Sequence, residues 1–432
     1  MGTIMAKRYL ISTAGYPNFG DEQIVRTWLK FYRDNFPDDD LILDVPFPAR
    51  ASFLFQDEWP KVQFVDTIWN LVYLAHDQQL TLENESEVSA ILHGGDPRNN
   101  VPIAALFDSD VIHLLGGGYF STAYREFSDT YLFFLFLALV KRDRPEIQLY
   151  ATGLGLTPIT HDIVGAVARY TSAFSYLGVR DQASTVVANT TFESDDVVMA
   201  PSLGAIKCDD RPDNPDVLLM IQPFKAADQQ ARFVQLLVTY LRQPSHRDKK
   251  IGIVEAMVPG DNWLFFSEDL KDYPDIQQRL TFYGFWDIWQ RGLPVKADQE
   301  WVTTRFHFHL IGALLGYPGT AINPGDAYYD VKHKSLLHLG TAWQYIDLST
   351  TTDDAIKPTF CQLAKLKLSC ATKRKMRHMM RLFKTKDWHK LQHRFVSSAR
   401  KLKQGNGLVF LCWTATFLNH LIAQIMTLFA VD

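Results

Sequence analysis

Short apolar runs that stop at glycine or a charged residue, and return about every thirty residues, constrain this chain more than any other feature. The clearest covers residues 110–115 (DVIHLL) and runs straight into Gly116-Gly117-Gly118. Others fall at 8–13, 41–45, 148–152, 175–179 and 196–199, with stretches that read as helices at 21–31, 65–74 and 131–140. Continuous apolar runs of this length fit strands buried on both faces. Alternation with helices is the rhythm of βαβ units, so the pattern predicts a parallel α/β sheet. In such sheets ligands bind beyond the C-terminal strand ends, and here several of those ends carry Gly or a charged residue.

A chain of 432 residues exceeds one core. Residues 208–215 (CDDRPDNP) are polar and proline-bearing and read as a linker. A second unit restarts with a strand at 217–221, a helix at 231–241 and a strand at 250–255, and 282–291 is aromatic-rich and helix-like. The expected organisation is a first Rossmann-like domain over 1–207, the linker, a second such domain over 216–350, and a helical tail over 351–432, basic and then apolar.

Two loops attract chemical attention. Residues 14–20 (AGYPNFG) join the first strand to the first helix, which Asp21 and Glu22 open. No GxGxxG and no GK[ST] is present, and two carboxylates at a helix start repel phosphate. Asp21 therefore reads as a hydroxyl-binding or proton-handling group, or as a plain N-cap. The other loop precedes the apolar run 310–315, which Gly316 and Pro318 stop. Arg305 and His307 then stand at a helix entrance, where unpaired N–H groups and the dipole favour an anion. Arg supplies a planar fork for phosphate or carboxylate, and His carries a proton near neutral pH. A solvated loop with an ordinary core histidine is the competing interpretation. After a short strand at 321–322 and a turn at 323–326, Tyr328, Tyr329, Lys332 and Lys334 follow as further groups for an anionic substrate.

The net charge of −4 hides an asymmetry. Residues 373–403 hold twelve Lys/Arg and one acid, so +11, leaving −4 − 11 = −15 for the rest. A basic segment on an acidic body points to an anionic membrane surface before nucleic acid. Residues 407–431 carry no formal charge over 25 positions, long enough to span a bilayer or to lie in its interface, although Asn419, His420 and Gln424 interrupt the run. Four scattered cysteines argue for reduced thiols in a cytoplasmic compartment and against a zinc knuckle. No metal-ligand cluster is evident.

With these pieces assembled, the chain resembles the polysaccharide pyruvyl transferase family. GYPNFGDEQI resembles its Gly–Asn–Gly–Asp element, LLGGGYF its triple-glycine loop and ATGLGLTP its Gly-x-Gly-Pro loop. LGVRDQAS resembles its Val-Arg-Asp-x-x-Ser element, and TRFHFHLIGALLGYP its Arg-x-His helix entrance. After Ala321 the pattern departs, because residues 323–327 intervene before the Tyr and Lys. The resemblance implies two Rossmann-like domains facing a cleft, as in glycosyltransferases of the B type. It implies phosphoenolpyruvate as donor, a saccharide or lipid-linked oligosaccharide as acceptor, a pyruvate ketal as product, and no further cofactor. The implied catalytic groups are His307 and Asp21. The implied substrate-binding groups are Arg305, Arg180, Asn18, Lys332 and the Gly116-Gly117-Gly118 loop. His309 reads as structural. Two rivals stand beside this: a nucleotide-sugar glycosyltransferase of the same architecture, and a non-catalytic scaffold at a membrane surface. The expected location is the cytoplasm, with the tail against its membrane face.

Overall fold

A computed structural model of the chain describes residues 5–95, 100–122, 129–261, 263–350 and 355–385. The basic residues from 386 onward and the uncharged run 407–431 lie outside the described residues. The chain divides into two compact units, Met1–His378 and Met379–Asp432.

Two large parallel sheets organise the first unit. One takes β1 (Lys7–Ile11), β2 (Asp40–Asp44), β3 (Gln63–Val65), β4 (Val111–Leu114), β5 (Gln148–Leu154), β6 (Tyr176–Val179) and β7 (Thr191–Phe192). Their order across the sheet is β3-β2-β1-β4-β5-β6-β7, and every pairing is parallel. A two-stranded ribbon pairs β8 (Cys208–Asp210) with β12 (Leu293–Val295). The second large sheet takes β9 (Val217–Met220), β10 (Ile251–Val254), β11 (Leu280–Tyr283), β13 (Glu300–Thr303), β14 (Gly319–Asn323) and β15 (Gln344–Asp347). Its order is β11-β10-β9-β13-β14-β15, again all parallel. Both sheets are doubly wound, and both reverse direction between their first strand and the fourth: β1 against β4, and β9 against β13. Two such sheets in one unit make the α/β architecture of glycosyltransferase-B type.

Burial explains why these segments become central strands. All four residues of β9 and of β10 are buried. The helix Leu132–Asp143 is apolar on every side as far as Val140 and buries Leu132 to Leu137 beside the first sheet. A helix apolar all round belongs inside a core, and each large side chain so buried contributes about 1.5–3 kcal/mol.

The structure corrects several boundaries. Residues 196–199 are not a closing strand but a 3-10 turn, Asp196–Met199, which Asp195 caps by accepting from Val197 N at 2.9 Å. The sheet closes instead on β7. The start of the expected linker is strand β8, because the β12 partner far along the chain supplies its hydrogen bonds. Asn18, not Asp21, caps the helix Phe19–Asn35. Strands β3, β11, β12, β13 and β15 are short or mixed in polarity, so hydrophobic pattern alone passes over them.

Candidate active site

At a topological switch point the loops leave on opposite faces and open a crevice. In the first sheet the loops at that crevice follow β1 and β4, and they are residues 14–18 and Gly116-Gly117-Gly118. In the second sheet they follow β9 and β13, and they lead to Gln222 and Arg305. The two crevices are stitched together at one edge. Phe19 N donates to Ala256 O at 2.8 Å, Val258 N donates to Pro17 O at 3.0 Å, and Asn18 bridges Met257.

His307 lies in the first turn of the helix Phe306–Leu315, and Gly20 lies in the first turn of Phe19–Asn35. The imidazole packs on the Gly20 backbone so closely that a Cβ there would meet His307 Nδ1 at 1.9 Å. Only glycine permits that approach. On its other side, His307 Nε2 lies 3.4 Å from Asp195 Oδ2. The same carboxylate oxygen accepts from Arg180 Nη1 at 2.9 Å, and Arg180 and Asp195 side chains are almost wholly buried. Burial pushes the Asp195 carboxyl upward, but His307 and then Arg180 outweigh it and hold the group far below the usual carboxylate range. Asp195 therefore stays ionised and holds the guanidinium, while His307 Nε2 lies beside it, buried and without a hydrogen-bond partner. Arg180 Nε is buried with no hydrogen-bond partner, and the guanidinium also covers the Phe306 ring at 4.5 Å.

The end groups of Tyr328, Arg180 and Lys332 converge on Gly118. A Cβ at Gly118 would meet Tyr328 Oη at 2.7 Å, Arg180 Nη2 at 2.8 Å and Lys332 Nζ at 3.0 Å. Tyr328 donates its hydroxyl to Gly118 O at 2.7 Å, joining the second sheet's helix Ala327–Leu339 to the first sheet's glycine loop. Lys332 Nζ rests 3.6 Å from the Tyr328 ring centroid. Its pKa falls well below the ordinary lysine value, first through burial and then through Arg180, with Asp21 opposing. Asp21 stands beside Gly117, takes a hydrogen bond from Asn18 Nδ2 at 2.8 Å, and is raised by burial against the pull of His307, Arg180 and Lys332. Gly116 turns the other way: its N–H donates to Asp196 Oδ2 at 3.3 Å inside the first sheet's rim.

Arg305 is the N-cap residue of the Phe306–Leu315 helix, as its place before the apolar run suggested. Its fork, however, is already engaged. Nε donates to Asp261 Oδ2 at 2.9 Å and Nη2 donates to Asp261 Oδ1, with Asp261 1% exposed. The rest of the guanidinium borders a cavity of about 490 Å³, whose wall includes Gln222, Lys225, Gln229, Met257 and Tyr329. His309 is sealed in the core, accepting or donating to His333 at 3.1 Å and Thr341 at 2.8 Å.

The structure thus brings together Asp21, His307, Arg180, Lys332, Gly117 and Gly118, with Asn18 steadying Asp21. It sets Arg305 at the neighbouring cavity and Gly116 inside the rim. Sequence inspection missed Asp195, Tyr328 as a bridge, and Gly20 as the seat of His307. Gly20 had a signal, since it precedes Asp21 in the first loop motif; Asp195 had none, sitting in a polar run, ESDD, with no distinguishing neighbour.

The sequence profile of the family described as polysaccharide pyruvyl transferase matches residues 18–326. The chain belongs to the polysaccharide pyruvyl transferase family. Every residue of the assembled cluster except Lys332 and Tyr328 falls inside that match, and these two follow it within a helix turn or two. A comparison with curated proteins finds no match. Among solved structures the chain is similar to the UDP-GlcNAc 2-epimerase of Neisseria meningitidis bound to UDP-GlcNAc, at 8% identity and a TM-score of 0.45, covering 89% of this chain and 94% of that one. It is similar to MnaA of S. aureus with UDP, at 9% identity and 0.48, covering 88% and 97%. It is also similar to UGT71G1 of Medicago truncatula complexed with UDP-glucose, at 11% and 0.42, covering 86% and 95%. For this pyruvyl transferase family member, strand order rather than these likenesses defines the fold.

Proposed function

We propose that this protein transfers the pyruvyl group of phosphoenolpyruvate to two hydroxyls of a saccharide, releasing phosphate. In the balanced reaction, both hydroxyl oxygens bond to the enol carbon and the carbon–oxygen bond to phosphate breaks. One hydroxyl proton ends on the methylene carbon, which becomes methyl, and the other leaves with phosphate. His307, oriented by Asp195, is the base for an attacking hydroxyl. Asp21, raised by burial, handles the second proton, and Asn18 fixes its carboxylate. Arg180 and Lys332 receive the donor's anionic groups against the Gly117-Gly118 loop. The cavity beside Arg305, whose charge Asp261 balances, suits the uncharged saccharide ring. The chemistry asks for no further cofactor.

The observation that carries this reading is the convergence of Arg180 and Lys332 on Gly118. Arg180 is paired with Asp195 through Nη1 but keeps Nε unpartnered, and Lys332 beside it has no carboxylate at ion-pair distance among the described residues, so a small multiply charged anion would complete both. The test is a glycan panel incubated with phosphoenolpyruvate and read by phosphate release. Release that depends on both substrates, and is lost in Arg180→Ala and His307→Ala, supports the reading. Release of nucleotide from a nucleotide sugar instead supports glycosyl transfer. A cellular role intact in both variants supports a scaffold.

We further propose that the enzyme works against an anionic membrane at the cytoplasmic face, on lipid-linked acceptors. Among the described residues no helix is long and apolar enough to cross a membrane. The helix Gln362–Leu382 carries Lys365, Lys367, Lys373, Arg374, Arg377 and no acid on its exposed positions, beside exposed Leu363 and Leu366. Full-length protein should sediment with vesicles containing anionic phosphatidylserine and not with neutral ones; equal sedimentation with both removes the idea.

A further inference from the structure

The helix Gln362–Leu382 follows the residues that the family profile matches, and none of the clustered site residues belongs to it. Its inner face is nonetheless informative. Ala364, Leu368 and Thr372 are buried at helical spacing, and the next inner position is Lys375, 4% exposed. A buried ammonium survives only where partners surround it. Lys375 Nζ donates to Ser194 O at 2.7 Å and lies 2.8 Å from Glu193 Oε1 and 2.9 Å from Asp196 Oδ1. Three of four consecutive residues thus hold one cation.

The same residues are anchored on their far side. Glu193 accepts from Gly153 N at 2.7 Å and from Tyr176 Oη at 2.9 Å. Asp196 accepts from Trp28 Nε1 at 2.9 Å and from Thr152 Oγ1 at 2.8 Å. The residue left over is Asp195, which faces the other way, onto Arg180 and His307. Resting on the proposed function, we infer that Lys375 is a positioning residue for pyruvyl transfer: it pins residues 193–196 so that the Asp195 carboxylate aligns Arg180 and His307. Without the ammonium, Glu193, Ser194 O and Asp196 lose their one common donor, and the segment they belong to shifts even where the buried charge is balanced.

The experiment uses the full chain in two forms, Lys375→Met and Lys375→Met with Glu193→Gln. The second removes one charge of each sign, so it keeps the buried balance and protects folding. In the double variant the melting temperature should stay near that of the wild type while kcat falls about 10- to 100-fold, since a shift of about 1 Å in a reacting group is worth that much. KM for the saccharide should stay within about threefold, because the cavity at Arg305 is untouched. The His307 ring resonances and the Trp28 indole N–H resonance should both move. A double variant with wild-type kcat and an unmoved His307 ring overturns the inference and leaves Lys375 a structural ion pair. If the wild type releases phosphate with no glycan, the proposed function fails, and the His307 resonances alone then decide for or against Lys375.

Discussion

Replacing Gly20 with alanine should abolish activity while leaving the fold almost as stable. The added methyl would sit 1.9 Å from His307 Nδ1 and 2.6 Å from its Cγ. Ordinary contacts of a Cβ begin at 3.4 Å, so the ring must retreat by about 1.5 Å from the 1.9 Å it would have. It has little room to do so, because Asp195 lies on its far side and Phe19 packs on Phe308 with ring centroids 5.1 Å apart. A displacement of that size should lower kcat at least about 100-fold. Stability behaves differently. Alanine favours a helix interior over glycine by about 1 kcal/mol, and less than that in the first turn where Gly20 stands, while overpacking costs about 1–3 kcal/mol. The net loss is about 0–3 kcal/mol, a fall of a few degrees in Tm. Phosphate release from phosphoenolpyruvate with the accepting glycan gives kcat, and calorimetry gives Tm. Adding His307→Ala to the variant should restore Tm without restoring turnover. A Gly20→Ala enzyme with kcat within threefold of wild type would refute the placement of His307 at the reacting atoms.

Other perturbations separate the roles of the neighbours. Asp195→Asn leaves the buried Arg180 guanidinium without its anion and should cost about 3–5 kcal/mol of stability together with most of kcat, measured by chemical denaturation and turnover. Lys332→Met should raise KM for phosphoenolpyruvate about tenfold or more yet hold or raise Tm, because among the described residues the ammonium has no carboxylate at ion-pair distance; a fall in Tm with unchanged KM contradicts the donor-binding role proposed for it. Burial holds His309 well below the ordinary histidine pKa and His333 down to about 4. The unfolded chain therefore binds protons that the folded one refuses. The stability from these neutral rings is complete above about pH 6.5 and is lost as pH falls from there toward 4, about 3 kcal/mol for His333 alone. Thermal melts between pH 7.5 and 4.5 should show that slope, and His333→Asn should flatten it.

How much of the molecule was legible depends on how each feature is encoded. The parallel α/β class and the two-fold repetition were, because central strands such as β4, β5, β9 and β10 are continuous apolar runs with loops of distinctive composition behind them. Edge strands such as β3 and β11 were not, since half-exposed strands of three or four residues carry no continuous apolar signal. At the site, Arg305 at the cap and His307 in the first turn followed from the apolar run behind them. That the Arg305 fork is taken by Asp261, 44 residues earlier, could not follow. Ion pairs of long range depend on which strand ends meet, and pattern reading has no access to that. The same holds for Asp195, identical in sequence character to Asp196 yet facing the opposite way.

The basic C-terminal stretch shows why a charge run should be read by face before it is read by sum. Counted along the chain, Lys373, Arg374, Lys375 and Arg377 are equivalent contributions to one positive segment. On the helix they are not: Lys373, Arg374 and Arg377 are exposed, whereas Lys375 is sunk among Glu193, Ser194 and Asp196. The exposed cations belong to the solvent or to an anionic surface, where each adds about 1 kcal/mol at most and salt screens it. Lys375 belongs to the acidic rim of the first sheet, where salt does not reach it. A truncation at residue 373 would remove both at once and would confuse loss of a surface with collapse of the Asp195 segment. Ending the chain after Thr385 keeps Lys375 in place while removing residues 386–432. Vesicle binding lost with turnover on soluble glycan retained then assigns the remaining charge to the membrane, and turnover lost as well denies that the two functions are separable.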